Sequence, residues 1–198
     1  MDESLVEEEF GLNLNEESLE EVNGFVVFVV NTFEIVASAF VFIVFIFSFL
    51  FRTVGVDGNS MNNTLQDKDR LFILSPILHK PKEKDIVILN AVDTLDVLII
   101  KRVIATEGQT VDLKRNGSVY DVYVDGVKLN EDYIKEPINL YHVHNLKYPI
   151  TIPKGYVFVM GDNRNDSTDS RALGPINVEK IKGSVLLRLT PLRNFKVF

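Results

Sequence analysis

Residues 25–51 read FVVFVVNTFEIVASAFVFIVFIFSFLF, an almost wholly apolar stretch with nine phenylalanines. A helix of about 20 such residues crosses the hydrocarbon core of a bilayer. The part from Ile35 to Phe51 has 17 residues, or about 25 Å at 1.5 Å per residue. We therefore expect the span to begin before Glu34, which leaves that carboxylate near one interface. The stretch has no basic segment before it, is too long for the apolar core of a signal peptide and has no clear small-residue exit, so we predict an uncleaved anchor at 25–51 rather than a cleavable signal peptide.

The charge of the chain changes where this stretch begins. Residues 1–24 carry nine acidic side chains and no Lys or Arg, whereas the remaining chain carries 21 bases and 19 acids. We interpret residues 1–24 as a solvated acidic tail, with a short amphipathic helix or a partner-binding segment as alternatives. The nearly neutral remainder offers no basic surface for nucleic acid, so we predict no nucleic-acid partner.

The chain has no cysteine. This excludes a thiol nucleophile, a disulfide framework and a thiolate metal site, so any nucleophile must be a hydroxyl, a carboxylate or an amine. We predict neither a metal nor another cofactor. The pair His142-x-His144 has no obvious acidic ligand nearby to complete a zinc site. The run from Asp162 is similar to a calcium-binding loop, but Arg164 occupies its third position, where an oxygen ligand is required. A glycine-rich phosphate loop is also missing from the sequence.

Beyond Arg52 the helical pattern gives way to short β-rich runs separated by turn residues, a pattern typical of an antiparallel β domain. Asp125-Gly126, between Val124 and Val127, predicts a hairpin. We predict a β-rich domain over 52–198, with an inserted lobe at about 105–155. The predicted strands are 54–56, 70–74, 85–89, 97–104, 110–113, 119–124, 156–160 and 184–189.

Two side chains of this domain have the chemistry of a nucleophile and its base. Ser60 follows a short predicted strand in a turn that contains Gly58, which exposes its hydroxyl and the nearby backbone N–H groups. Lys101 lies in the run VLIIKRVI at 97–104, and burial there favours its neutral amine. Taken alone, Ser60 is equally consistent with an ordinary serine in a turn. Lys101 alone is equally consistent with a lysine at a sheet edge or one that extends its amine into solvent. The polar loop GDNRNDSTDSR at 161–171 is either an Asx-turn cluster or a scaffold around a reactive lysine.

The order of these elements resembles that of the bacterial type I signal peptidases, over roughly residues 34–190. Members of that family are membrane-anchored Ser/Lys proteases that remove N-terminal signal peptides from exported preproteins. The resemblance implies a mainly β fold: one N-terminal transmembrane helix, then an antiparallel β-sheet catalytic domain of the signal-peptidase and self-cleaving-repressor type. It also implies a single-pass protein of the cell membrane whose catalytic domain is extracytoplasmic. The matching segments are the anchor, Ser60-Met61, Lys101-Arg102 and the loop 161–171.

The resemblance implies roles for individual residues. Ser60 matches the nucleophile and Lys101 the general base, a convergent variant of the serine-histidine-aspartate arrangement. Ser167 matches the hydroxyl that orients the lysine amine. The Ser60 N–H is one expected oxyanion donor, and Gly58 stands where some members carry an oxyanion-hole hydroxyl, so that side-chain donor is missing here. The resemblance also implies supporting roles for residues next to the nucleophile and the base and in the loop: Met61, Arg102, Gly161, Asp162, Asn163, Asp169 and Arg171.

Departures from the family pattern fall in turns. Asn63 stands where Pro is usual, Lys84 where Gly is usual, and 105–109 read ATEGQ in place of Gly-x-Pro-Gly-Asp. They leave an inactive peptide-binding relative as one alternative, and a dedicated peptidase of a surface-assembly system, such as one for pilus subunits, as another. A self-cleaving repressor, which places a similar Ser-Lys domain behind a DNA-binding region, is disfavoured because an acidic tail and an anchor come first.

The distance from the anchor to Ser60 is short. Ser60 lies nine positions after Phe51, so the nucleophile lies at most roughly 30 Å beyond the span. A preprotein whose signal sequence is still in the bilayer presents its scissile bond at about that height. We expect it to bind as an added strand along Val54–Gly58 or Ile86–Leu89.

Charge and resemblance disagree about topology. Lys and Arg are missing before the span and Arg52 follows it, so the positive-inside rule places the β domain in the cytoplasm. The resemblance places it outside. We follow the resemblance because the rule weakens for large translocated domains. The sequence carries no information on the oligomeric state.

Overall fold

The computed structural model describes residues 16–90, 98–142 and 146–198, with side chains from residue 23 onward. The predictions for residues 1–15, Val97 and His144 therefore lie outside the described residues. The chain separates into two compact units, Met1–Ser48 and Phe49–Phe198.

Most of the first unit belongs to helix α1, Glu16–Leu50. Within α1, the segment Asn23–Leu50 is long and apolar enough to cross a membrane, with a mean hydropathy of 2.5, and among the described residues it is the one helix of this kind. Its hydroxyl groups are satisfied inside the helix, as a lipid environment requires. They donate to the carbonyl one turn earlier in the pairs Thr32–Phe28, Ser38–Glu34 and Ser48–Val44.

The second unit is β-rich, and its described part also contains the short helix α2, Ser170–Leu173. The strands, numbered in chain order, are β1 Phe51–Gly55, β2 Arg70–Leu74, β3 Ile86–Asn90, β4 Leu98–Ala105, β5 Thr110–Asn116, β6 Val119–Val124, β7 Val127–Lys128, β8 Ile138–Asn139, β9 Ile150–Thr151, β10 Tyr156–Met160, β11 Ile176–Asn177, β12 Ile181–Thr190 and β13 Lys196–Val197.

These strands form two antiparallel sheets within the described residues. The larger has the order β1-β2-β12-β3-β4-β10-β11, with β13 paired to β12. The smaller has the order β7-β6-β5-β9, with β8 paired to β6. The hairpin predicted at Asp125-Gly126 is confirmed: Val124 pairs with Val127 across it. Both turn residues have positive φ, 51° and 80°, the backbone conformation that a type I′ turn requires.

Strand β3 lies at the centre of the larger sheet and is buried on both faces. Ile86 and Ile88 pack in one core cluster, and Val87 and Leu89 pack in another on the opposite face. A strand buried on both sides reads as a continuous apolar run, which explains the sequence IVIL. Burial of each such side chain contributes about 1.5–3 kcal/mol relative to exposure.

The mainly β architecture behind an apolar helix is confirmed, but the pairing corrects one expectation. β3 pairs with β12 on one edge and with β4 on the other. The idea that a peptide adds along Ile86–Leu89 is therefore wrong, because both edges of that strand are already occupied. β1 lies at the end of the sheet and pairs with β2 alone among the described strands, so its other edge is open.

Candidate active site

Ser60 lies in the turn that connects β1 to β2. The turn is closed at its base by two backbone bonds between Val56 and the segment 68–69. Met61 and Leu65 face inward and are buried in the core, and the Leu65 N–H donates to the Met61 carbonyl at 2.9 Å. Because its neighbour Met61 is anchored in the core, the partly exposed Ser60 side chain is fixed at the surface of the sheet.

Lys101, on strand β4, reaches the Ser60 hydroxyl. Its Nζ lies 2.7 Å from Ser60 Oγ and donates to the carbonyl of Ile100 at 3.0 Å. Only 3% of Lys101 is exposed to solvent. Burial, which disfavours the charged ammonium, lowers the pKa of Lys101 to about 8, while the charges of Asp169 and Asp162 act in the opposite direction. A lysine with this pKa is partly neutral near neutral pH, as a proton acceptor must be.

The backbone N–H of Ser60 is a candidate hydrogen-bond donor to an oxyanion. Among the described residues, the Ser60 N–H donates to no protein group. The N–H of Gly58 is already bonded to Asp67 Oδ1 at 3.1 Å, and its φ of +95° is a conformation that glycine adopts without strain. The predicted oxyanion donor, the Ser60 N–H, is thus available. Gly58 instead allows the backbone of the turn to adopt its positive φ.

A groove of about 80 Å³ leads to the Ser60 and Lys101 side chains. One wall is formed by residues 54–58 at the end of β1, and the other by residues 98–101 of β4. Strand β4 pairs with β10 only from Arg102 onward, so the edge of 98–101 that faces away from β3 is unpaired among the described residues. The groove therefore lies between two strand segments that each have an open edge.

The start of the loop 161–171 is attached to the Ser60 turn. The Asn163 N–H donates to the Ser60 carbonyl at 3.0 Å, and its side-chain amide donates to the carbonyl of Asn59 at 3.1 Å. Asp162 accepts two hydrogen bonds from the Arg102 guanidinium, at 2.9 and 2.6 Å, and one from the hydroxyl of Thr64. The backbone position of Ser60 is thus fixed by loop residues that follow it by about a hundred positions.

Asp169 organises the rest of the loop. Its carboxylate accepts hydrogen bonds from the Arg171 guanidinium at 2.9 and 2.7 Å, from the Gly161 N–H at 3.0 Å and from the Ser167 hydroxyl at 2.8 Å. Burial by itself raises the pKa of Asp169, but the hydrogen bonds and charge of Arg171 outweigh this and hold that pKa below its ordinary value. The Ser167 hydroxyl bonds to this carboxylate and, within the described contacts, not to Lys101, so its role toward the lysine amine stays a prediction.

A further buried ion pair, beside those of Asp162 and Asp169, was not found from the sequence. Arg164 is fully buried and forms a two-point pair with Glu131, which lies in the segment between β7 and β8, and its Nε donates to the Gly161 carbonyl at 3.1 Å. The ring of Tyr133 lies under the Arg102 guanidinium, 4.1 Å from its centroid. The only sequence signal was the arginine itself, since a buried arginine needs an acidic partner. Nothing identified Glu131, which lies 33 positions away.

The described residues contain no cluster of three or more His, Asp or Glu side chains with the spacing of a metal site. His142, one of the two histidines set aside as zinc ligands, has its Nδ1 2.6 Å from Asn139 Oδ1.

Comparison with known proteins places this arrangement in a family. The family model described as signal peptidase, peptidase S26, matches residues 29–190. The chain belongs to this family. The probable signal peptidase I-1 of Synechocystis sp. is 40% identical over 145 residues, which cover 69% of each chain. Signal peptidase I P of Bacillus subtilis subsp. natto is 35% identical over 162 residues, 78% of this chain and 85% of that one. A crystal structure of a signal peptidase I from Enterococcus faecalis V583 is 28% identical, covers 53% of this chain and 96% of its own, and has a TM-score of 0.42.

Membership in the signal peptidase family confirms three predictions. The chain belongs to the family it was predicted to resemble, it is a serine endopeptidase by class, and its function is the removal of signal peptides from preproteins. The apolar helix and the family together indicate a membrane-anchored enzyme. The roles of single residues are a separate question, which depends on the geometry described above.

Proposed function

We propose that this signal peptidase cuts its substrates with Ser60 as the nucleophile and Lys101 as the general base. The observation that carries the proposal is the 2.7 Å separation of Lys101 Nζ and Ser60 Oγ next to an open groove. A serine hydroxyl attacks only when a base removes its proton, and the best base has a pKa near the working pH. The buried amine of Lys101, with its lowered pKa, meets that requirement.

In the first half of the proposed reaction, neutral Lys101 donates one N–H to the Ile100 carbonyl, which directs its lone pair at the Ser60 hydroxyl. Ser60 Oγ bonds to the scissile carbonyl carbon as its proton passes to Lys101 Nζ. The Ser60 N–H donates to the oxyanion that forms. When the oxyanion collapses, the C–N bond breaks, and the ammonium returns the proton to the departing amino group of the mature protein.

In the second half, the signal peptide remains as an ester on Ser60. Lys101, neutral again, takes a proton from a water molecule that attacks the ester carbonyl. The C–O bond to Ser60 breaks, the proton returns to Ser60 Oγ, and the signal peptide leaves with a new carboxyl group, which loses its remaining proton to solvent. One lysine thus serves both halves of the reaction as acid and base.

The substrate is proposed to lie as an extended strand in the groove between residues 54–58 and 98–101. Both segments have an open edge, so a peptide placed there can pair its backbone with either wall. The enclosed part of the groove is small, about 80 Å³. This supports the preference that the family resemblance implies, for small residues at the first and third positions before the cut.

The assignment is tested by cleavage of a model preprotein in detergent by the wild type beside Ser60→Ala. We expect Ser60→Ala to bind the preprotein with about wild-type affinity and to leave it uncut, since the hydroxyl is lost and the groove is kept. Cleavage by Ser60→Ala at a rate close to that of the wild type would overturn the proposal.

Activity is expected to rise with pH through an acid-side limb near pH 8. Only the neutral amine accepts a proton, and the pKa of Lys101 is lowered to about 8, so about one-tenth of the free enzyme is competent at pH 7 and about one-hundredth at pH 6. The measurement is kcat/KM for preprotein cleavage between about pH 5 and pH 9. A flat profile over that range, from enzyme that stays folded, contradicts a lysine base.

We infer that the β domain lies on the extracytoplasmic side of the membrane, where exported preproteins emerge. The absence of cysteine allows a direct test with Ser4→Cys and Ser118→Cys. Ser118 is exposed in the turn between β5 and β6. In intact cells, a membrane-impermeant maleimide is expected to label residue 118 and not residue 4, and lysed cells, in which both residues are expected to react, provide the control. Labelling of residue 4 alone in intact cells would contradict this orientation.

A further inference from the structure

The segment between β7 and β8, residues 129–137, packs against the loop 161–171. The two are joined by hydrogen bonds from the Lys135 N–H to the Asp162 carbonyl at 3.1 Å and from the Asn165 side-chain amide to the Pro137 carbonyl at 3.0 Å, in addition to the Arg164–Glu131 pair. This segment supplies no reacting group to the proposed cleavage, yet it fixes the loop to which the Ser60 turn is attached.

Tyr133 lies in this β7–β8 segment, and its ring contacts the Arg102 guanidinium. The guanidinium carbon is 4.1 Å from the ring centroid, which is within the range of a cation–π interaction, and such an interaction is strongest where water is excluded. Arg102 is buried and Tyr133 is half-buried. The Tyr133 hydroxyl donates to Glu131 Oε1 at 3.2 Å, and Glu131 is itself paired with Arg164. The ring therefore has a fixed position against Arg102.

Arg102 connects the Tyr133 ring to the reacting groups. It directly follows the proposed base in β4, and its guanidinium donates to Asp162 and to the Lys84 carbonyl. Asp162 also accepts from the Thr64 hydroxyl in the Ser60 turn. The ring covers the guanidinium without taking any of these hydrogen bonds, so it shields the Arg102–Asp162 ion pair from water. A shielded ion pair is stronger than a solvated one.

We propose that Tyr133 is a positioning residue for the cleavage reaction. Its ring keeps the Arg102–Asp162 ion pair dry and in place, and that ion pair fixes the Ser60 turn relative to Lys101. The inference rests on the proposed function, in which Ser60 and Lys101 are the reacting pair. Without the ring, water reaches the ion pair, Asp162 shifts, and the separation of the nucleophile and its base is no longer held constant.

The substrate groove does not depend on this contact. The groove is lined by residues 54–58, 60–61 and 98–101, whereas Tyr133 lines a separate recess together with Lys84 and Val103. Loss of the ring is therefore expected to slow the chemical step and to leave preprotein binding nearly unchanged.

The test compares variants that keep or remove the ring, in the full chain in detergent with one model preprotein. Tyr133→Leu and Tyr133→Met remove the ring and leave different packing, so the result does not depend on one variant. We expect each to lower kcat about tenfold or more, because small displacements of reacting groups have large effects on rate. Tyr133→Phe keeps the ring on the guanidinium, and its kcat should stay within about threefold of the wild type.

Tyr123→Leu is the matched control. Tyr123 is a half-buried tyrosine of β6, and its ring centroid lies 4.5 Å from a cation, Lys114 Nζ, that makes no described contact with the loop 161–171. We expect Tyr123→Leu and Tyr133→Leu to lower the melting temperature by similar amounts and Tyr123→Leu to keep a kcat close to that of the wild type. A purely structural role of Tyr133 would instead give the two variants the same kcat.

Binding is measured in an uncut background. Ser60→Ala and Ser60→Ala/Tyr133→Leu should bind the preprotein with dissociation constants that agree within about twofold, since both keep the groove. A much weaker affinity of the double variant would overturn the proposal, because Tyr133 would then act through substrate binding.

Two kinetic results would also overturn it. If Tyr133→Leu and Tyr133→Met cleave as fast as Tyr123→Leu, the ring has no positioning role. If Tyr133→Phe is as slow as Tyr133→Leu, the hydroxyl and Glu131 are what matters, and not the ring. Ser60→Ala, in the same assay, separates this inference from the proposed function: an inactive Ser60→Ala beside a fully active Tyr133→Leu removes the role of Tyr133 and leaves the Ser60–Lys101 assignment intact.

Discussion

Ser60→Ala, Lys101→Ala and the double variant are expected to show the same residual preprotein cleavage, at least about 10³-fold below the wild type. The two side chains act in one step, since the hydroxyl attacks only as the amine takes its proton. Their Nζ–Oγ separation of 2.7 Å leaves no room for a different base between them. Removal of the second partner therefore costs little once the first is gone, and the losses do not multiply.

Steady-state cleavage of one preprotein by all three variants measures this coupling. Lys101→Met is a useful fourth variant, because an unbranched apolar side chain fills the buried site and tests the lost amine without a cavity. Ser118→Ala, at an exposed turn, controls for the loss of a serine hydroxyl away from the site. Near wild-type cleavage by Lys101→Met, or a double variant far slower than both single variants, would show that the residues act independently.

The sequence predicted those parts of the fold that depend on local pattern. All eight predicted strands overlap strands of the structure. They could be predicted because each is a run of β-branched and aromatic residues between turn residues that is long enough to show a strand pattern. The missed strands β8, β9, β11 and β13 have two residues each, too short for any periodicity, and β7, which is equally short, was predicted only as the second strand of the hairpin. Their pairing depends on neighbours that are distant in sequence.

Strand order and ion pairing could not be predicted in the same way. Ile86–Leu89 and residues 54–58 look alike as peptide-binding strands until the pairing shows that one is central and the other lies at an edge. Likewise, Lys101 was identified by its apolar surroundings in the sequence, whereas Glu131 was not identified, since only folding brings it to Arg164, 33 positions away. The family resemblance supplied the roles that a single sequence does not contain.

Gly161 shows why the loop 161–171 needs a residue without a side chain at its start. Its backbone has an ordinary φ, so glycine is required there by space and not by conformation. A Cβ atom at this position would lie 2.5 Å from the Ser60 carbonyl oxygen and 2.6 Å from Ser167 Cβ, and would also overlap the Ser167 hydroxyl. The Ser60 carbonyl is part of the backbone and cannot rotate away, so the turn or the loop must move.

Gly161→Ala is therefore expected to lower kcat/KM for preprotein cleavage by about 10²-fold or more, because a shift of about 1 Å separates Ser60 Oγ from Lys101 Nζ. It should also lower the free energy of unfolding by about 1–3 kcal/mol, as overpacking does. Cleavage kinetics and thermal unfolding measure the two effects, and Gly24→Ala, where an added Cβ meets nothing within 4 Å, is the control.

Gly161→Ala/Ser167→Gly identifies the contact responsible: relief of the Ser167 overlap should restore little activity, because the contact with the Ser60 carbonyl remains. Full recovery in that double variant would show that the packing of Ser167, and not the position of Ser60, sets the requirement for glycine.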